Sequence, residues 1–203
     1  MSSITIINQT AEPLRIAIFK HSHELPGLDA IVWQVVMPSP GGQTVVQVPD
    51  RFEVFGNYSS SPYELKDPTT ENKTNTISIS GYTGTFEFTE ANPEQIGTRI
   101  SLAQTFDDLV PGEIRLRNTA SIGVWGHIAF DGADIYAPQV IWPGGVMVEG
   151  VRPELWVALI PDLVTPGTIM KPEQAGGAAV EIREGQVATV TGSEATGYSV
   201  TVR

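Results

Sequence analysis

Ile4-Thr5-Ile6-Ile7-Asn8, followed by Thr10-Ala11, and Ile114-Arg115-Leu116-Arg117-Asn118, followed by Thr119-Ala120, are the two stretches whose comparison decides the fold. Moving outward, the first reaches Ala17-Ile18-Phe19 and the second Ile128-Ala129-Phe130. Each then passes an acid (Asp29, Asp134), a Gln-Val pair (Gln34-Val35, Gln139-Val140) and a Pro-Gly-Gly corner (Pro40-Gly41-Gly42, Pro143-Gly144-Gly145). Towards the ends, Ile77-Ser78-Ile79-Ser80-Gly81 matches Ala188-Thr189-Val190-Thr191-Gly192. The chain therefore reads as two consecutive copies, expected at 1–95 and 113–203 with a linker at 96–112.

Within each copy the apolar residues recur with a period of two, as in Ile114-Arg115-Leu116-Arg117 and Leu155-Trp156-Val157-Ala158-Leu159. Alternation of this kind marks strands that bury one face. Strands are expected near 3–8, 13–20, 31–37, 43–48, 52–58, 76–80 and 84–89, then 113–118, 122–130, 139–142, 145–151, 154–160, 178–183, 187–191 and 197–202. Ile100-Ser101-Leu102 is a candidate extra strand, and single helical turns are expected only near 92–95 and 171–174. Twenty Gly and fifteen Pro, spread along the chain, supply the turns between short strands. The fold class is all-β: two tandem, pseudo-symmetric antiparallel β-sandwich-like halves.

The 203 residues carry a net charge of −11, with both halves acidic and no cluster of Lys and Arg. That balance excludes a nucleic-acid partner, whose phosphates need neutralising, and disfavours charge-driven binding to anionic membranes. The absence of cysteine excludes disulfides and thiolate chemistry. No apolar run approaches the ~20 residues of a transmembrane helix. Met1-Ser2-Ser3-Ile4 opens without a basic region and apolar stretch, so the expected location is cytoplasmic, or outside by export without a cleaved signal peptide.

Few residues carry obvious chemistry. His21-Ser22-His23-Glu24 has metal-ligand spacing, because alternate strand residues share a face, but it runs into a turn at Leu25-Pro26-Gly27. Asp131-Gly132-Ala133-Asp134 has carboxylates for a weak calcium turn, yet Asp-Gly is also a hairpin turn. No Gly-x-Ser-x-Gly or phosphate loop is present, and no cofactor is expected. The aromatics are more informative. Trp142 abuts the second Pro-Gly-Gly corner, and Trp125 and Trp156 fall out of phase with the apolar rows of their strands. With Tyr63 they form the expected contact residues for a ligand or partner. The copies diverge most at 59–76 and 161–177; Leu163, Val164, Ile169 and Met170 in the second loop are candidate membrane-insertion points.

The opening pattern, a strand ending in Asn with a Thr nearby and then a second aliphatic strand, resembles the first strands of β-sandwich families such as thaumatin-like proteins and aegerolysins. The cysteines typical of thaumatin-like proteins are absent here. The expected function is non-catalytic: surface recognition of a protein or glycan partner, or self-association into a homo-oligomer. The alternatives are a lectin-like or membrane-targeting, pore-forming β-protein, and a metal-dependent or acid–base enzyme using His21 and His23.

Overall fold

The computed structural model describes residues 2–21, 28–59, 72–91, 99–170 and 179–203. The chain is all-β, and no helix occurs among the described residues. The two expected helical turns, at 92–95 and 171–174, lie outside them.

The chain divides into two compact units that do not follow the linear order expected from the repeat. The first unit comprises Met1–His21, Asp29–Asp50 and Pro153–Arg203. It holds β1 (Ser2–Asn8), β2 (Ile16–Phe19), β3 (Val32–Val36), β4 (Gln43–Val48), β15 (Leu155–Leu159), β16 (Val180–Ile182), β17 (Val187–Ser193) and β18 (Gly197–Val202). These form two four-stranded sheets, β18-β17-β1-β4 and β16-β15-β2-β3. Ile4, Ile6, Val46, Ala188 and Val190 are buried from the first sheet; Ile16, Ile18, Leu155, Val157 and Ile182 are buried from the second.

The second unit comprises Ser22–Leu28 and Arg51–Arg152. Its first sheet has the order β14-β10-β8-β9, from Val146–Gly150, Glu113–Asn118, Gly84–Ala91 and Arg99–Thr105. Its second sheet is centred on β5 (Arg51–Tyr58) and β11 (Val124–Phe130). Short β6 (Asn72–Lys73) and β7 (Ile77–Ser80) flank β5, and β12 (Ala133–Asp134) and β13 (Gln139–Ile141) flank β11. Gly56 and Gly126 lie opposite each other on the two central strands. A Cβ on Gly56 would sit 2.5 Å from the Phe88 ring, and one on Gly126 3.0 Å from Leu116, so the missing side chains let the two sheets close.

The units differ from the expected 1–95 and 113–203 division, and the change falls between β4 and β5. β4 is an edge strand, and only Pro49-Asp50, with a bend at Asp50, separates it from β5. β5 joins the other unit, and the place beside β2 is taken by β15.

Local turn chemistry follows the sequence closely. Gly42 N donates to Ser39 O at 2.8 Å, and Gly145 N donates to Trp142 O at 2.8 Å. Gly41 and Gly144 take φ of +68° and +77°, the third position of a type II turn that proline initiates. Asp131 and Gly132, at φ +48° and +77°, form a two-residue hairpin between β11 and β12. The Asp-Gly pair is thus a turn.

Candidate functional site

Trp142 stands on a turn of the second unit that Asn118 holds from both sides. Asn118, buried at the end of β10, donates from Nδ2 to Ile141 O at 2.7 Å and to Ile122 O at 2.8 Å. Its Oδ1 accepts from Ala120 N at 3.0 Å. The Asn118 main chain donates to Gly145 O (3.0 Å) and accepts from Gly144 N (2.7 Å), which clamps the corner on both sides of Trp142. The indole nevertheless remains 60 % exposed, with Val146 also exposed four residues on. In the first unit, Asn8 Nδ2 holds Pro38 O in the same manner, but the turn residue there is Ser39. A large aromatic on a backbone with little freedom loses little entropy when something stacks on it.

Trp125, on β11 of the same unit, lies directly across from Asn57 and Val140. It is half-buried, and its Nε1 is buried without a hydrogen-bond partner. Two residues on, His127 is buried, donating or accepting through Nδ1 with both Asp134 oxygens at 3.0 and 3.1 Å. The other ring nitrogen, Nε2, is buried without a hydrogen-bond partner. The ring stacks on Phe55 at 4.5 Å between centroids, and Lys73 Nζ sits 3.7 Å from the Phe55 centroid on the far strand. The carboxylate offered by the sequence for calcium is thus engaged by a histidine.

Trp156 belongs to the first unit. It points away from Leu155 and Val157 as the alternation requires, but onto a second apolar layer rather than an open platform. That layer contains Ala17, Phe19, Ala158, Ile160, Val164 and Met170. It exists because the segment after β15 docks along the edge of β3. Val32 N donates to Thr168 O at 2.9 Å, Met170 N donates to Ala30 O at 2.8 Å, and Ile31 bridges Ile169. Val164 and Met170 are consequently core residues, not insertion points; Leu163 is 92 % exposed and Ile169 partly so.

Beside Trp156 lies a charge cluster that the sequence does not signal. Lys20 is only 2 % exposed, with Nζ donating to Glu154 O at 2.9 Å. Burial drives its ammonium down to about 7, against the pull of the Glu154 carboxylate. Glu154 Oε1 meets Arg183 at 3.1 Å, and Arg183 also pairs with Glu181 at 3.0 Å. His21, exposed, has its ring 5.3 Å from that of Trp156. His23 and Tyr63 lie outside the described residues. Among the described residues, no three His, Cys, Asp or Glu side chains converge as a metal site.

The expected contact tryptophans are therefore distributed, Trp125 and Trp142 in the second unit and Trp156 in the first, where His21 of the expected metal pair also lies. Of these three tryptophans, Trp142 alone presents most of its surface to solvent. No protein-family model, curated protein or solved structure matches this chain.

Proposed function

We propose that the protein is a non-catalytic recognition protein whose principal contact residue is Trp142. The observation that carries this reading is an indole 60 % exposed on a turn held from both sides by Asn118. A protein or glycan partner presents the apolar face that such a ring stacks on, and self-association through the same residue belongs to the same reading. Trp142→Ala should leave thermal stability within about 0.5 kcal/mol, as for other exposed positions. It should weaken binding on a glycan array, or dimerisation in sedimentation equilibrium, by about tenfold or more. A variant that binds and associates as the wild type does would remove Trp142 from the function.

A membrane-directed reading draws on Leu163, 92 % exposed at a loop tip, although Asp162 beside it opposes burial in lipid. Flotation with neutral and sterol-containing vesicles separates the two. Wild-type protein that floats, and a Leu163→Ser variant that does not, would favour the membrane over the Trp142 contact. The catalytic alternative, a metal held by His21 and His23, is tested by elemental analysis of the purified protein.

A further inference from the structure

The strand pairings form a pattern that the order of the chain conceals. Consider a division within residues 106–111, the turn segment after β9 in which Phe106 is 79 % exposed. The peripheral pairings all stay within one piece. In the first piece these are β1 with β4, β2 with β3, β5 with β7 and β8 with β9. In the second they are β10 with β14, β11 with β13, β15 with β16 and β17 with β18. The central pairing of every sheet joins the two pieces: β1 with β17, β2 with β15, β5 with β11 and β8 with β10.

Each piece is therefore a set of two-stranded ribbons, and each sheet is one ribbon from the first piece laid against one from the second. The correspondence extends to direction. β1 and β17 run parallel, as do β10 and β8; β2 with β15 and β11 with β5 are antiparallel. In both pieces the chain changes unit at the same place, after the strand that follows the Pro-Gly-Gly turn: from β4 to β5 and from β14 to β15.

We infer that the chain is an internal strand exchange, in which residues 2–105 and 113–203 recognise each other through four strand edges, and the segment joining them is not required to hold them together. An isolated ribbon is marginal in water, and the central strands of one piece alone would present four unpaired edges beside apolar faces such as Ile4-Ile6 and Phe86-Phe88. The partner that fits those edges is the complementary piece, from the same chain or from a second copy. This inference stands on pairing alone and is independent of Trp142.

The test is a single cut in the whole protein. A specific protease site placed after Asp108 yields the two pieces. They should co-elute in native size exclusion at the size of the uncut chain and separate only in denaturant. Unfolding of the cut protein should become concentration-dependent, its midpoint falling on hundredfold dilution while that of the uncut chain stays fixed. If insertion disturbs folding, cutting in denaturant and refolding the mixture gives the same readout. Pieces that elute separately under native conditions, folded or not, or a midpoint unaffected by dilution, would overturn the inference.

Discussion

Asn118 shows how much of this fold rests on single side chains. Its amide is buried and satisfies two carbonyls and one main-chain N–H, while Asn8 holds Glu12 O, Pro38 O and Thr10 N in the first unit. Leaving such groups buried and unpaired costs about 1–3 kcal/mol each, so Asn118→Ala should destabilise the second unit by about 3 kcal/mol in urea unfolding. A loss below ~1 kcal/mol would mean that the turn does not depend on the amide. Lys20 gives a pH signature instead. Its folded value, about 7, lies below the ordinary 10.5, so the full burial penalty applies below pH 7. Between pH 7 and 10.5 the folded protein releases the proton while the unfolded chain keeps it, and stability rises. Lys20→Met should therefore be favoured over wild type most at pH 6, with the difference shrinking towards pH 10; a difference constant with pH would contradict the burial. Only the local half of each asparagine's network follows from the chain, because an Asx bond reaches two residues on, to Thr10 N and Ala120 N; the bonds to Pro38 O and Ile141 O come from residues 30 and 23 positions away. The burial of Lys20 was not legible in the sequence, because what buries it includes Glu154, 134 residues away.

At the level of elements, strand positions were legible because alternation is local. All fifteen expected strands form, and Ile100-Ser101-Leu102 belongs to β9. The faces were harder to read. β2 is buried on both sides, and Trp156 packs on an apolar layer that joins Ala17, Phe19 and Val32 to Val164 and Met170. Periodicity reports one buried face and is silent about a second layer made by a loop. One equivalence also shifts. Ile77–Ser80 was matched in sequence with 188–192, yet β7 flanks β5 as β16 flanks β15, and it is β8 that pairs parallel to β10 as β17 pairs to β1. Sheet packing depends on the facing glycines of β5 and β11. Gly56→Ala places a methyl 2.5 Å from the Phe88 ring and 2.6 Å from Val124, which should cost about 1–3 kcal/mol in thermal or urea unfolding. An unchanged midpoint would show that the sheets have room to spare.

For the whole molecule, composition and alternation fixed the all-β class, but no local pattern tells a strand which distant partner it will take. The strand pairs decide it: N-terminal β1 lies beside β17, with Ile7 opposite Thr189 and both half-buried. Paired strands stand ~4.8 Å apart, within the Cα separation a disulfide accepts, and the chain has no cysteine of its own to compete. The most direct measurement is oxidation of an Ile7→Cys, Thr189→Cys double variant, followed by cleavage between residues 106 and 111. The interlocked arrangement requires one intramolecular bond, so that the two pieces stay joined on a non-reducing denaturing gel and part on reduction. Free thiols after oxidation, or bonds formed only between chains, would contradict it.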